Sequence, residues 1–197
     1  MLNLLLARHG QSVWNAAGRW QGQADPPLSD LGLAQARGAA LEAGSFDAIV
    51  ASDLERALHT ATIIGDATGV GPVLVDPRLR ERHAGEYQGL TRDQIEERFP
   101  GQLEAQVFPP GWEPADQLLG RTTEALDEIL THTGGSGDVL AITHGGVIYA
   151  VEGHLGQSHA RIDNLCGRWL HHDGRWRLGD RVQLAPDNVS VDSQDIL

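Results

Sequence analysis

The sequence contains no lysine, because all 15 of its Lys and Arg residues are arginines. This absence excludes Schiff-base catalysis and the lysine-dependent phosphate loop of nucleotide-binding proteins. The chain also has 1 cysteine, Cys166. A single thiol excludes an internal disulfide bond and any metal site that is built from several thiolates.

Positive charge is also scarce, with 15 Lys+Arg against 27 Asp+Glu and a formal net charge of −12. Such a balance argues against nucleic acid or an anionic membrane as a partner held by a broad basic face. No apolar run approaches the roughly 20 residues of a membrane span, and the first residues lack the pattern of a secretory signal. We therefore expect a cytoplasmic protein that has no membrane partner and captures any anion locally.

The length of 197 residues, with 41% hydrophobic residues, suits one domain with a sizeable core. We expect a single domain over residues 1–197. Within it, residues 186–197 are acidic and polar, which predicts a loose tail.

Short apolar runs alternate with helical patterns along the chain. The runs typical of strands buried on both faces are Leu2–Ala7, Asp47–Ser52, Pro72–Asp76 and Asp138–Thr143. The helical patterns are Ser29–Ala43, Asp53–Ala67, Arg92–Phe99 and Asp116–His132. This alternation predicts a three-layer α/β sandwich, with a mostly parallel central sheet and helices on both faces.

Two later segments have other patterns. The segment "RWLHHDGRWRL" contains two alternating runs joined by Asp173-Gly174, which predicts an antiparallel hairpin at one edge of the sheet. The exposed edge of this hairpin leaves open pairing with a second copy into a homodimer. The segment "FPGQLEAQVFPPGWEPAD" is rich in turn residues and predicts a flap over a site.

Charged and polar residues follow several of the predicted strands. Arg8 and His9 end the first strand and His144 ends the fourth, while Arg56 begins the helix after the second strand and Glu81 follows the third. The carboxyl ends of parallel strands lie at one edge of a sheet, so these side chains are expected to converge. Arginines repel a metal cation, but they bind a phosphoryl group that a neutral imidazole can attack.

Each of these residues alone has an ordinary structural explanation. A His-Gly pair at a strand end is more often structural than catalytic. Arg56 alone is typical of a surface ion pair with Glu55 or Asp53, and Glu81 alone of a solvated loop charge. Their occurrence together at strand ends favours a functional site.

A second candidate cluster is the pair His171 and His172, which follows Cys166. Adjacent residues of a strand point to opposite faces, and the sequence offers no further metal ligands beside these histidines. We therefore predict no metal site.

Several motifs, in order, resemble those of the histidine phosphatase superfamily, which contains the cofactor-dependent phosphoglycerate mutases. They are "ARHGQSVWN", "GRWQGQADPPLSDLGLAQA", "ASDLERALHTA", "RLRERHAGEYQGLT", "ITHGGVI" and "DNLCGRWLHHDGRWRL". An ordered series of this kind is far more specific than any single motif.

The resemblance implies an α/β fold in which His9 becomes a phosphohistidine. It also implies that Arg8, Arg56 and His144 hold the phosphoryl oxygens and that Glu81 donates a proton. A backbone carbonyl after the strand, such as that of Gly10, is expected to orient the His9 ring.

Further residues are expected to bind the substrate. The resemblance places Asn15 and the Gln21-Gly22 pair in the lining of the pocket, and we add Gly145, next to His144, and Arg92, where the mutases usually have a lysine. His83 either touches the substrate or packs the loop after Glu81.

The predicted function is hydrolysis of a small phosphorylated metabolite by a phosphatase that needs no metal and no cofactor. The alternative is a phosphoglycerate mutase, with bisphosphoglycerate as cofactor. The mutases have an adjacent arginine pair for the substrate carboxylate, whereas between Thr91 and Asp116 this chain has Arg92 and Arg98. A remote alternative, an inactive binding module, would be expected to have lost a main site residue, and none is lost.

Overall fold

The structure, a computed structural model, describes residues 1–42, 44–157 and 160–185. The strands within these residues are Leu2–Arg8 (β1), Ala48–Ala51 (β2), Leu74–Val75 (β3), Gly137–Thr143 (β4), Cys166–His172 (β5) and Trp176–Gln183 (β6). The helices are Val13–Ala16 (α1), Asp30–Glu42 (α2), Glu55–Thr68 (α3), Arg92–Arg98 (α4), Ala115–His132 (α5) and Gly145–His154 (α6). Two short 3₁₀ turns cover Pro77–Leu79 and Gly85–Tyr87.

The strands form one mixed sheet in the order β3-β2-β4-β1-β5-β6. The strands β3, β2, β4 and β1 are parallel, whereas β5 is antiparallel to β1 and β6 is antiparallel to β5. Gly174 turns the β5–β6 hairpin with a φ of 100°, which only glycine adopts without strain. The mixed sheet and the hairpin at its edge confirm the predicted fold class, while the homodimer through that edge stays a prediction.

The sheet is buried on both faces, as the continuous apolar run of β1 requires. Leu5 and Ala7 belong to a core cluster with side chains of α2 and α3, whereas Leu4 and Leu6 belong to a second cluster with side chains of α5 and α6. Because successive strand residues point to opposite faces, this alternation places two helices on each side of the sheet.

A smaller apolar cluster lies beyond the carboxyl ends of the strands. It contains Trp20, Ala84 and Tyr87, with the partly buried Trp112 packed against them. The Trp112 backbone forms an isolated antiparallel bridge with Ala84. The predicted flap, residues 99–116, is thereby attached to the loop that follows β3.

The predicted elements are present, with differences at their ends, and two helices, the four-residue α1 and the longer α6, were not predicted. The predicted strand Pro72–Asp76 forms only as Leu74–Val75, and proline cannot donate a backbone hydrogen bond to a neighbouring strand. The helix α6 was missed because it begins with Gly145 and Gly146 and lacks a side-chain cap. Both glycines are poor helix formers, so no local signal marks its start.

Two further sequence predictions concern the C-terminal tail and the absence of a membrane span. The predicted loose tail, residues 186–197, lies outside the described residues. None of the helices in the described ranges is long and apolar enough to cross a membrane. A single domain over the whole chain stays a prediction.

Candidate active site

The two central parallel strands, β1 and β4, bring their terminal residues to the same edge of the sheet. The register pairs Arg8 with Thr143, and the backbone N–H of His9 donates to the Thr143 carbonyl at 3.0 Å. His144 follows directly, and its ring centroid lies 5.1 Å from that of His9. Adjacent strands therefore bring together two histidines that are distant in the sequence.

His9 is buried, and both of its ring nitrogens have a partner. Its Nδ1 lies 2.6 Å from the carbonyl oxygen of Gly10, which can only accept, so Nδ1 carries the proton. Burial, with a further contribution from the cations of Arg56 and Arg8, lowers the pKa of His9 well below 6.5. Nε2 is therefore unprotonated and carries the lone pair.

Arg56 is fully buried beside this lone pair. Its Nε donates to Nε2 of His9 at 3.2 Å, while Nη1 and Nη2 donate to the carbonyls of Ala24 at 2.8 Å and Gly22 at 2.9 Å. Burial lowers the pKa of Arg56 to about 10, so it is still a cation at neutral pH. A guanidinium carries five N–H donors, so two remain for an anion in the site.

Two more buried nitrogens at this edge lack a partner within the described ranges. Nη1 of Arg8 donates to the carbonyl of Ile162 at 2.7 Å, but Arg8 Nε has no hydrogen-bond partner. Nε2 of His144 lies 2.9 Å from Oγ of Ser52, but His144 Nδ1 has none. Buried polar groups are nearly always paired, so these two nitrogens suit a ligand that supplies oxygen acceptors.

Glu81 lines the pocket and lies at the first turn of α6. Its Oε1 accepts from the backbone N–H of Arg82 at 2.7 Å, and its Oε2 accepts from the N–H of Gly146 at 3.2 Å. A Cβ atom at Gly146 would overlap with the carboxylate, so this close approach requires glycine. The helix terminus thus fixes a carboxylate beside the histidines.

The loop that carries Glu81 is held by Arg121 of α5. Nη1 of Arg121 donates to the carbonyls of Arg78 and Arg80, both at 2.6 Å, and Nη2 donates to the carbonyl of Glu81 at 2.9 Å. Arg121 also forms an ion pair at 2.7 Å with the largely buried Glu113 of the flap. One guanidinium therefore ties helix, loop and flap together.

The remaining predicted pocket residues fall into two groups. Asn15, Gln21 and Gly22 line the pocket together with His9. The Asn15 side chain also closes a capping box with Ser12 at the start of α1, which fixes its position. These three predicted residues are thus brought together with His9.

The other three do not line the pocket. His83 is exposed, with Nδ1 2.9 Å from the carbonyl oxygen of Gly111, so in this structure it packs the loop. Arg92 is exposed and lines a neighbouring groove instead of the pocket. Gly145 begins α6, and a Cβ there would lie 3.9 Å from Arg8 Nε.

Sequence reasoning missed several supporting residues. Ser52 ends a strand just as the histidines do, and the same strand-end rule would have found it. Asn164, whose Nδ2 donates to the His9 carbonyl at 2.8 Å, and Arg121 act across long sequence separations. No local pattern marks such contacts.

The second candidate cluster is split by the sheet. Nδ1 of His171 lies 2.7 Å from Oδ1 of Asn3, whereas the ring of His172 packs against Trp176 with centroids 5.0 Å apart. Across residues 1–42, 44–157 and 160–185, no group of three or more His, Cys, Asp or Glu side chains is placed to hold a metal ion.

Comparison with known proteins supplies the family. Residues 4–174 match the family model described as histidine phosphatase superfamily (branch 1). The matched segment contains every predicted site residue, from Arg8 to Gly145.

Relatives cover nearly the whole chain. A glucosyl-3-phosphoglycerate phosphatase of Mycolicibacterium vanbaalenii is 39% identical, over 89% of this chain and 92% of its own. A metal-independent phosphoserine phosphatase of Arabidopsis thaliana is 38% identical, over 88% of this chain and 78% of its own. A relative named as a mutase is also similar. A probable phosphoglycerate mutase of Yersinia pestis is 38% identical, over 90% of this chain and 81% of its own.

A solved structure agrees with these sequences. The mycobacterial glucosyl-3-phosphoglycerate phosphatase in complex with VO3 superimposes with a TM-score of 0.81 at 35% identity, over 89% of this chain and 96% of that chain. The sequence and structure matches confirm the predicted family and the predicted enzyme class, a phosphatase. The chain belongs to the histidine phosphatase superfamily, branch 1.

Proposed function

We propose that the protein hydrolyses small phosphate monoesters in two steps, through a phosphohistidine on Nε2 of His9. The observation that carries this proposal is the state of the His9 ring. The Gly10 carbonyl fixes the proton on Nδ1, and burial lowers the pKa of His9, so Nε2 is unprotonated at neutral pH and becomes the nucleophile when a phosphoryl group replaces Arg56 Nε as its partner.

The first part of the proposal is phosphoryl binding by nitrogen donors alone. The unpartnered Nε of Arg8 and the two remaining N–H groups of Arg56 supply donors for the oxygens of a dianion, and Nδ1 of His144 completes the set when it carries a proton. Charge spreads over the phosphoryl oxygens in the transition state, and fixed guanidinium groups stabilise it without reorganisation. This arrangement supports catalysis without a metal or another cofactor.

The second part is proton transfer by Glu81. When Nε2 of His9 attacks phosphorus, the bond from phosphorus to the ester oxygen breaks, and that oxygen takes a proton from Glu81 to leave as an alcohol. The Glu81 carboxylate then takes a proton from water, which attacks the phosphohistidine. Inorganic phosphate leaves and His9 is restored.

The substrate class follows from the pocket and from the relatives. The relatives carry glucosyl-3-phosphoglycerate and phosphoserine in their names, so we propose small phosphorylated metabolites of this kind as substrates. A cytoplasmic location fits such substrates and stays part of the proposal.

The test is a panel of phosphate monoesters assayed for phosphate release, run beside a mutase assay with bisphosphoglycerate. We expect release of inorganic phosphate with no interconversion of phosphoglycerates. Efficient interconversion with little release would instead make the protein a mutase.

A further inference from the structure

Ser52 carries a fully buried hydroxyl that no step of the proposed mechanism uses. It follows β2, and its backbone N–H donates to the carbonyl of Ile142 in β4 at 3.0 Å. This backbone contact places Ser52 next to His144, which follows the end of β4. Oγ of Ser52 lies 2.9 Å from Nε2 of His144.

The contact with Ser52 engages one ring nitrogen of His144 and leaves the other for a ligand. Nδ1 is buried and has no hydrogen-bond partner in the part of the chain that the structure describes. His144 directly precedes α6, yet its side chain accepts no N–H group of that helix, and the N–H of Gly146 donates to Glu81 instead. Nδ1 is therefore not engaged as an acceptor by the described residues.

The neutral ring of His144 has two possible arrangements of its proton. Burial, with a further contribution from the cation of Arg56, lowers the pKa of His144 well below 6.5. A neutral imidazole carries one proton, so one of its nitrogens donates and the other accepts. A proton on Nδ1 can be donated to a phosphoryl oxygen, whereas a proton on Nε2 leaves Nδ1 with a lone pair, which cannot bind an anion.

The hydroxyl of Ser52 distinguishes between these two forms. A hydroxyl has one hydrogen to donate and two lone pairs that accept. One lone pair of Oγ accepts from the N–H of Leu54 at 3.3 Å, at the start of α3. Among the described residues, Nε2 of His144 is the one acceptor that the hydroxyl hydrogen reaches. If Nε2 carried the proton, this hydrogen would be buried without an acceptor, which is costly.

We propose that Ser52 is a positioning residue, which donates its hydroxyl hydrogen to Nε2 of His144 and so keeps the His144 proton on Nδ1 for a phosphoryl oxygen. This inference rests on the proposed function, because it accounts for the proton that the phosphoryl site requires of His144. Both site histidines then carry their proton on Nδ1, with opposite consequences. The Gly10 carbonyl fixes the proton of His9 so that Nε2 can attack. Ser52 fixes the proton of His144 so that Nδ1 can bind.

The direct test is the protonation state of the two ring nitrogens of His144. It is read by NMR of the full chain with ¹⁵N-labelled histidine at neutral pH, with and without inorganic phosphate. The chain has 9 histidines, and the signals of His144 are those absent from His144→Gln. We expect Nδ1 to be protonated and Nε2 unprotonated in both samples. A proton on Nε2, alone or together with one on Nδ1, would overturn the inference.

Variants show whether Ser52 causes this state. Ser52→Ala removes the donor, so the His144 signals should shift toward the Nε2-protonated form. The Kd for inorganic phosphate should then rise roughly tenfold, because a hydrogen bond to a charged ligand is weakened. Ser52→Thr keeps the hydroxyl and should keep the proton on Nδ1. Thr122→Val is the matched control, since it removes a fully buried hydroxyl that donates to the Leu118 carbonyl of its own helix, and it should change neither readout.

The tautomer separates this role from a purely structural one. Oγ of Ser52 also accepts from Leu54, so a loss of phosphate affinity alone has a second explanation, a disturbed start of α3. That explanation leaves the proton of His144 on Nδ1. An unchanged tautomer in folded Ser52→Ala would therefore overturn the inference. If Ser52→Ala does not fold, Ser52→Cys replaces it, because a thiol donates only weakly.

Failure of this inference is distinguishable from failure of the proposed function. The tautomer and the Kd for phosphate are both measured without turnover. Absence of phosphate release from every ester of the panel would defeat the proposed function. Release of phosphate by a protein whose His144 carries its proton on Nε2 would defeat the role of Ser52 alone.

Discussion

At the scale of single residues, His9 and His144 are two imidazoles that the fold keeps neutral. Burial, followed by the cation of Arg56, lowers the pKa of each well below 6.5. A neutral ring at position 9 is what nucleophilic attack requires. The same property makes folding stability depend on pH.

The sign of that dependence follows from proton uptake. In the unfolded chain both imidazoles titrate at about pH 6.5, so below this pH the unfolded state binds more protons than the native state. We expect the free energy of unfolding to fall by about 1.4 kcal/mol per pH unit for each histidine as the pH drops below about 6.5. Urea unfolding between about pH 7.5 and about pH 5.5 measures the slope. His9→Gln is expected to remove the share of one histidine, and parallel curves for the two proteins would contradict this account.

The role of Glu81 as an acid is separable from binding. Glu81→Gln keeps the size and the hydrogen bonds of the side chain but removes the titrating proton, so kcat should fall by roughly 10²–10⁴ for an alkyl phosphate. p-Nitrophenyl phosphate loses its alcohol without protonation, so formation of its phosphohistidine should slow much less. The burst phase is the measurement, because in the proposed second step Glu81 acts as a base for both esters.

Equal burst losses for the two esters would show that Glu81 only organises the pocket. The matched control is Glu86→Gln, a nearby exposed carboxylate outside the pocket lining, which should leave both bursts unchanged.

Strand-end position predicted the residues that lie beside His9, because the carboxyl ends of parallel strands converge by geometry. It did not distinguish Glu81, which reaches the pocket, from His83, which turns toward Gly111. His83 lies two residues after Glu81 in the same loop, where the direction of a side chain depends on the conformation of the turn. Contacts of this kind are decided by tertiary packing, which the local sequence does not encode.

At the scale of elements, α5 supports the reaction although it contributes no side chain to the pocket lining. Arg121 donates to three carbonyls of the loop, those of Arg78, Arg80 and Glu81, and it forms an ion pair with Glu113. Burial raises the pKa of the Glu113 carboxyl, but the hydrogen bond and the charge of Arg121 outweigh burial and hold this pKa below its usual value. The pair is therefore ionised. The position of Glu81 therefore depends on a helix residue forty positions later.

Arg121→Lys tests this dependence. Lysine keeps the charge beside Glu113, but a single ammonium does not reproduce the forked contacts to the carbonyls. We expect kcat for an alkyl phosphate to fall roughly tenfold to a hundredfold, because a misplacement of about 1 Å at a reacting group has such an effect. The burst with p-nitrophenyl phosphate should fall much less, as for Glu81→Gln.

A purely structural role of Arg121 would slow both esters alike, and that outcome would contradict a positioning role. Arg78→Lys is the control, because Arg78 pairs with Asp76 on the outside of the same loop. Both bursts should be unchanged in this variant.

The elements differ in how far the sequence predicts them. The core strands and the helices α2, α3 and α5 follow from apolar periodicity, and their ends shift by only a few residues. The helix α6 does not follow, because Gly145 and Gly146 hide its start. A larger residue in place of Gly146 would displace the Glu81 carboxylate from its present position.

At the scale of the whole molecule, an acidic protein concentrates cations at one end of its sheet. Arg8 lines the candidate pocket and Arg56 contacts His9 there, while Arg82 and Arg92 line the neighbouring groove. The fold thus supplies local positive charge without a metal ion. Turnover is therefore expected to persist in excess chelator.

The central claim is that His9 carries the phosphoryl group between the two steps. The most direct measurement is rapid quenching after substrate addition, in excess EDTA, followed by quantification of the label bound to the protein. We predict about one acid-labile, base-stable phosphoryl group per chain, abolished in His9→Ala. Label on a serine or aspartate, or no label unless magnesium or zinc is restored, would contradict the account.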